Sequence, residues 1–230
     1  VAAGEAVIPD KSKVEALIAK WEGARGGAEQ ANFAVFIHDL VDALELERPG
    51  VAEGGVLGDY QFEGPVAGGS NRTLGGKGRI DLYKRGCFVM EAKQSQLRPG
   101  ETEAPGLFDA ADVIPLTPAG ARYDQLMIRA QAQAKNYAVN LPGDHPSVPF
   151  LIVCDVGRAF ELFFDFAGNG RGYGFYPDKQ RYRVPLAKLR DPEIQSLFRD
   201  IWTDPCRRDP RLISAEVTRE VSKRLADVSA

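Results

Sequence analysis

The sequence of 230 residues is poor in cysteine and histidine, with three of the first and two of the second. Cys87, Cys154 and Cys206 are dispersed and odd in number, so they make no disulfide framework, and no C-x-x-C pair offers a metal knuckle. With His38 and His145 as the sole imidazoles, a structural zinc would need ligands gathered from far apart. Reduced cysteines in a cytoplasmic protein are the expectation. No apolar run reaches the roughly 18 residues of a transmembrane helix, so no membrane partner is expected. The opening "VAAGEAVIPDKSKVEALIAKW" lacks the basic patch and apolar core of a signal peptide. It also lacks an initiating Met, which reads as a processed chain or a piece of something longer.

Excess positive charge is missing too. The net charge of −3 excludes a protein that coats nucleic acid by bulk charge. Locally the balance differs. "RTLGGKGRIDLYKR" sets Arg72, Lys77, Arg79, Lys84 and Arg85 against Asp81 alone. "RGYGFYPDKQRYRVPLAKLR" sets Arg171, Lys179, Arg181, Arg183, Lys188 and Arg190 against Asp178. Basic stretches interleaved with aromatics suit phosphate contact, and equally suit a solvated basic face.

What is present is a regular succession of elements. Val14, Leu17, Ile18 and Trp21 recur at helical spacing, and "EGARGG" breaks that helix. A second helix is predicted from about Ala28 to Leu46, with Phe33, Phe36, Ile37, Leu40, Val41 and Leu44 on one face. Residues 59–66 alternate as a strand, and 67–78 read as a loop. "GRIDLYKRGCFVMEAKQ" reads as strand, turn near Lys84–Gly86, strand, with Asp81 at the start of the first. Residues 95–120, rich in Pro, Gly, Ala and acids, predict a long excursion. A helix over 121–141, a buried strand over 149–156 and its hairpin partner over 159–166 follow. A short aromatic strand near Tyr173–Tyr176, a helix around Glu193–Ile201 and a closing helix from Arg211 to about Val228 complete the order. The class is α/β or α+β, with a mixed central sheet flanked by helices. The division expected is N-terminal helices over 1–50, a core over 51–190 and C-terminal helices over 191–230.

The chemistry concentrates in residues 78–94. Strand side chains alternate, so Glu91 and Lys93 point the same way while Ala92 points back. The short turn brings Asp81 alongside, and two carboxylates and a lysine converge at one edge of a sheet. Two carboxylates and a backbone carbonyl are hard oxygen ligands for Mg²⁺, which polarises a phosphoryl oxygen and acidifies a bound water. Lys93 suits orienting that water or stabilising charge on the phosphate. Charges ending so apolar a strand are costly without a use. Gln133 and Tyr137, at i and i+4, share a face of the helix 121–141.

The pattern D-x9-E-x-K followed by Q-x-x-x-Y resembles the PD-(D/E)xK nuclease superfamily. The wider set, "WEGARGGAEQANFAVFIHDLVDALEL", "GRIDLYKRGCFVMEAKQ", "QAKNYAVNLP", "PFLIVCDVGRAFELFFDF" and "IWTDPCRRDPRLISAEVTREVSKRLA", resembles the N-terminal part of MmeI-like (type IIL) restriction–modification enzymes and related phage-defence methylases. That resemblance implies a restriction-endonuclease-like core that cuts double-stranded DNA with Mg²⁺ or Mn²⁺ in the bacterial cytoplasm. By it, Asp81 and Glu91 are metal ligands, Lys93 is the catalytic lysine and Gln94 touches the phosphate or metal shell. Gln133 and Tyr137 support the site, and Glu63 or Glu29 supplies an extra carboxylate or is structural. The superfamily's leading Pro is absent, because Arg79 and Ile80 precede Asp81. The resemblance also implies a parent chain with a connector begun by the last helix, a SAM-dependent adenine-N6 methyltransferase domain and a target-recognition domain. No Gly-rich SAM loop after a strand and no N-P-P-Y/F motif occurs in this sequence, so SAM and methylation belong to that other part.

Two other readings compete. In one, a catalytically inactive nuclease fold binds DNA or docks the methyltransferase. In the other, Glu91–Lys93 is an exposed ion pair of an unrelated domain, which requires Glu91 in solvent and Asp81 far away.

Overall fold

A computed structural model describes residues 9–24, 29–52, 54–67, 77–95, 118–170 and 172–228. Among these, helix α1 (Lys11–Glu22) begins at Asp10, whose carboxylate accepts the Ser12 N–H at 2.8 Å and replaces a missing intrahelical partner. Its buried face, Val14, Leu17, Ile18 and Trp21, meets α2 (Glu29–Ala43). There Trp21 packs edge-on against Phe36 at 5.0 Å and donates its indole N–H to Asp39 at 2.8 Å.

Strands β1 (Tyr60–Ala67), β2 (Lys77–Lys84) and β3 (Phe88–Lys93) form an antiparallel meander. Helix α3 (Pro118–Val139) then crosses over, and β4 (Phe150–Asp155) returns parallel to β3. β5 (Ala159–Phe164) pairs back antiparallel to β4 through a turn at Gly157. Gly157 has φ +77°, and a Cβ there would come within 2.9 Å of the Trp21 ring, so both backbone and space demand glycine. The short strands β6 (Gly174–Phe175) and β7 (Arg183–Pro185) both pair with β5. The sheet order is β1-β2-β3-β4-β5-β6, with β7 attached to β5. This is the mixed sheet expected from the sequence.

Two apolar layers cover the sheet. On one face Leu82, Phe88, Met90, Phe150, Ile152 and Phe160 pack with α1, α2 and α4 (Pro192–Thr203). α4 is capped by Asp191, which accepts the Glu193 N–H at 2.9 Å, and it buries Phe198, Ile201 and Trp202 at about 1.5–3 kcal/mol each. On the other face Val89, Leu151, Val153 and Phe163 pack under Met127, Ala130, Ala134 and Tyr137 of α3. β3 and β4 are therefore covered on both sides, which is why they read as unbroken apolar runs. The first helices thus share one core with the central strands. α5 (Pro210–Val228) leaves this body with Leu212, Ile213, Val217, Val221 and Leu225 exposed.

Most elements lie within a few residues of their expected positions. β2 is longer at its start, so Asp81 sits in mid-strand and not at the beginning. Ladder bonds to β1 reach back to Lys77 and extend a strand that local composition reads as loop. Residues 68–76 of the predicted loop and 96–117 of the predicted excursion lie outside the described residues.

Candidate active site

The sheet forks at Asp81. β2 pairs with β1 from Lys84 back to Lys77, but with β3 only through Leu82↔Met90, Tyr83↔Val89 and Lys84↔Phe88. One further step in register would set Asp81 against Glu91, and there the two strands part. The Ala92 N–H on β3 is left without a ladder partner by this parting, and a buried amide in that condition is costly. Asp81 supplies the partner: its Oδ2 accepts the Ala92 N–H at 2.7 Å.

The β1–β2 pair also rolls over at this level. In a regular strand, residues two apart share a face. Leu82 belongs to the α2 side and Ile80 to the α3 side, as Tyr60 and Val66 do on β1. The turn-over falls between the pairs Phe62↔Leu82 and Gly64↔Ile80, at Glu63, and the left-handed Glu63 φ of +51° costs about 1–2 kcal/mol for a non-glycine residue. Glu63 is exposed and ion-paired to Arg79 at 3.7 Å. Glu29 opens α2, and its side chain lies outside the described residues.

Glu91 is buried, and its Oε1 lies 2.7 Å from the Lys93 ammonium. The same ammonium donates to the Ala92 carbonyl at 2.7 Å. Two hard oxygens of adjacent residues are thus arranged around one positive centre. Tyr137 of α3 is held beside this group, its hydroxyl accepting from Gln133 Nε2 at 2.8 Å. Burial pushes the Tyr137 phenol up, the Gln133 hydrogen bond opposes, Glu91 and Asp81 add, and Lys93 opposes again. The tyrosine therefore lies within the field of all three charged side chains. Gln94 accepts from Asn32 of α2 at 3.3 Å, tying the strand's exit to the other helical layer.

The fork brings Asp81, Glu91, Lys93, Gln133 and Tyr137 together. An exposed Glu91 far from Asp81, as an unrelated domain would have, is not what the structure has. The cluster lies inside the sheet, since β3 has neighbours on both sides, and not at the sheet's edge. Among the described residues, no group of three or more His, Cys, Asp and Glu side chains could hold a metal ion. Mg²⁺ commonly takes one or two carboxylates and completes its shell with water and phosphate. Asp81, Glu91 and the Ala92 carbonyl fit that habit.

Sequence reasoning missed a neighbour. Asp155 ends β4 in register with Lys93 and is fully buried. Both its oxygens accept from Ser95, Oδ1 from the N–H at 2.9 Å and Oδ2 from the hydroxyl at 2.7 Å. Burial raises its pKa, and the Ser95 hydrogen bonds oppose. The available signal was an acid closing a buried strand, as Glu91 nearly closes the one before. Beyond it, Arg183 lies 2.6 Å from Glu161 and 2.9 Å from Asp124, under the Tyr123 ring at 4.9 Å.

Ion pairs also answer the basic stretches. Lys84 meets Glu47, Arg85 meets Asp59, Arg181 meets Asp178 and Arg190 meets Glu15, all within 3.0 Å. Acids distant in sequence, and Asp178 within its own stretch, neutralise much of what reads locally as positive.

Among the described residues the architecture is a mixed α/β domain with a seven-stranded sheet, consistent with a nuclease-like fold whose charged cluster sits at a strand fork. Within that class, residues 9–230 match the family described as MmeI, N-terminal domain, and the chain belongs to it. The family places it in the context of restriction–modification enzymes. No curated protein matches the chain, and no solved structure does. Among the described residues no helix is long and apolar enough to cross a membrane.

Proposed function

We propose that this chain is the metal-dependent DNA-cleaving module of a cytoplasmic restriction–modification or phage-defence enzyme. The observation that carries the reading is the meeting of Asp81, Glu91 and Lys93 where β2 leaves β3. Asp81, Glu91 and the Ala92 carbonyl would hold Mg²⁺ or Mn²⁺, which supplies Lewis-acid stabilisation of the phosphate and an acidified water. Lys93 sits on the same oxygens, suited to orient a water or to meet developing phosphate charge. Gln94 follows on the strand's exit, and Gln133 and Tyr137 close the α3 side. Double-stranded DNA is the substrate. A SAM-dependent adenine methyltransferase and a target-recognition domain of the parent chain are the partners.

Calorimetric titration of Mn²⁺ into the wild-type chain and Asp81→Asn tests the reading. Asparagine keeps an acceptor for the Ala92 N–H, so the fold is retained while one anionic ligand is removed. Binding by the wild type and none by Asp81→Asn is expected, with cleavage by the full-length protein lost in the same variant. Equal binding by both places any metal elsewhere.

A further inference from the structure

The end of β3 is fixed from β4 by a side chain as well as by the ladder. The last main-chain bond between the two runs from Val156 N–H to the Lys93 carbonyl at 2.8 Å. Two residues on, where the ladder has ended, Ser95 gives both its N–H and its hydroxyl to Asp155. Lys93 and Gln94 are thereby bracketed between two fixed points, both on the β4 strand end. Gln94 is held again from α2 by Asn32 at 3.3 Å. On the far side Tyr123 of α3 adjoins Asp155, whose charge pushes the tyrosine phenol up further after burial has raised it. A fully buried carboxylate is an expensive way to hold one serine, and an apolar pair of the same volume would serve stability as well. What the carboxylate adds is direction: two acceptors on one rigid plane fix both donors of Ser95 at once.

We propose that Asp155 is a positioning residue of this site: by clamping Ser95 it holds the Lys93–Gln94 main chain against β4 and so aims the Lys93 ammonium at the Glu91 carboxylate and the Ala92 carbonyl. The role rests on the nuclease reading. A catalytic group must be held to fractions of an ångström by its supporting shell, and a lysine on four flexible carbons depends on where its backbone starts.

The test uses the full-length protein, with single-turnover cleavage, Mn²⁺ titration and amide hydrogen exchange on wild type, Asp155→Asn and Ser95→Ala. Asp155→Asn keeps the volume but replaces two charged acceptors by one neutral carbonyl for the Ser95 N–H and an amide N–H to which the serine hydroxyl must turn as acceptor, so both charge-assisted bonds are weakened. It is expected to speed exchange at the Ser95 amide and to lower the cleavage rate by about ten- to a hundredfold, with Mn²⁺ binding retained. Ser95→Ala removes only the hydroxyl bond and is expected to lower the rate less. The double variant is expected to fall short of the product of the two effects, because both break one clamp. If Asp155→Asn does not fold, Ser95→Ala carries the test, since it leaves every main-chain bond in place. Unchanged cleavage by a variant with faster Ser95 exchange makes the clamp purely structural and overturns the role. Unchanged exchange overturns the clamp itself. Failure of the wild type to cut defeats the nuclease reading and the role together, whereas failure confined to the variants' behaviour defeats only the role.

Discussion

Lys93→Met removes a positive charge that the structure sets against the Glu91 carboxylate at 2.7 Å, while keeping most of the side-chain volume. The Glu91 side chain is 2 % exposed and that of Lys93 18 %, so the pair lies well outside the weak class of surface ion pairs. Breaking a buried pair costs about 3–5 kcal/mol, and the partial exposure of Lys93 places this one near about 3. For a chain of this size that lowers Tm by about 6–12 °C. The same loss creates a demand for another cation. A metal held, as proposed, by Asp81, Glu91 and the Ala92 carbonyl would no longer compete with the ammonium for these oxygens. Saturation to about 100 times Kd contributes about 2.7 kcal/mol to the folded state, nearly offsetting the deficit. Thermal melts across a Mg²⁺ series are therefore expected to show a steep rise for Lys93→Met, a shallower one for wild type and none for Glu91→Gln. Parallel curves for all three proteins would refute the reasoning, because the ammonium and the metal would then not share a seat.

Two further outcomes follow from the scaffold. Arg183→Met leaves Glu161 buried without its counter-charge, at a cost of about 3–5 kcal/mol near neutral pH. Burial already raises the Glu161 pKa and Arg183 opposes that rise, so the variant raises it further. A carboxyl whose folded pKa is raised destabilises the fold while ionised and does so no longer once protonated. The deficit is thus expected to be full above the folded pKa and to shrink as pH falls through it, with Arg183→Met combined with Glu161→Gln abolishing the pH dependence in denaturant titrations. Gly157→Ala meets both a left-handed φ and the Trp21 ring at 2.9 Å, and a loss of about 2–3 kcal/mol in chemical denaturation is expected.

How far the sequence could be read depended on where the deciding partner sat. Helical periodicity and the hairpin of residues 78–94 are local, and α1, α2, α3, β3, β4 and β5 lie close to their expected places. The carboxylate–lysine cluster was visible because alternation and a short turn suffice to bring Asp81 near Glu91 and Lys93. Its setting was not. Whether β2 stays beside β3 or leaves it at Asp81 depends on β1, more than a turn away in sequence, and on a left-handed Glu63 that no propensity announces. The basic stretches left phosphate contact and a solvated face equally open for the same reason: Arg190 is answered by Glu15 and Lys84 by Glu47, across the fold. Asp155 reads as the last letter of an apolar run, although a buried strand closing on an acid is itself a signal.

The fork has a mechanical side. Below Asp81 the β1–β2 pair is fastened to β3 by three rungs, and above it the pair runs on to Lys77 and Ala67 without further rungs to β3, seated on the α3 layer through Ile80 and Val66 alone among its described apolar side chains. Four residues of strand make a limb of about 13 Å, so a tilt of about 10° carries its tip through about 2 Å. Asp81, at the fulcrum, is the residue such a tilt displaces least, and its bond to the Ala92 N–H holds it there. A carboxylate placed at a pivot would keep its address were the arm beside it to slide over α3.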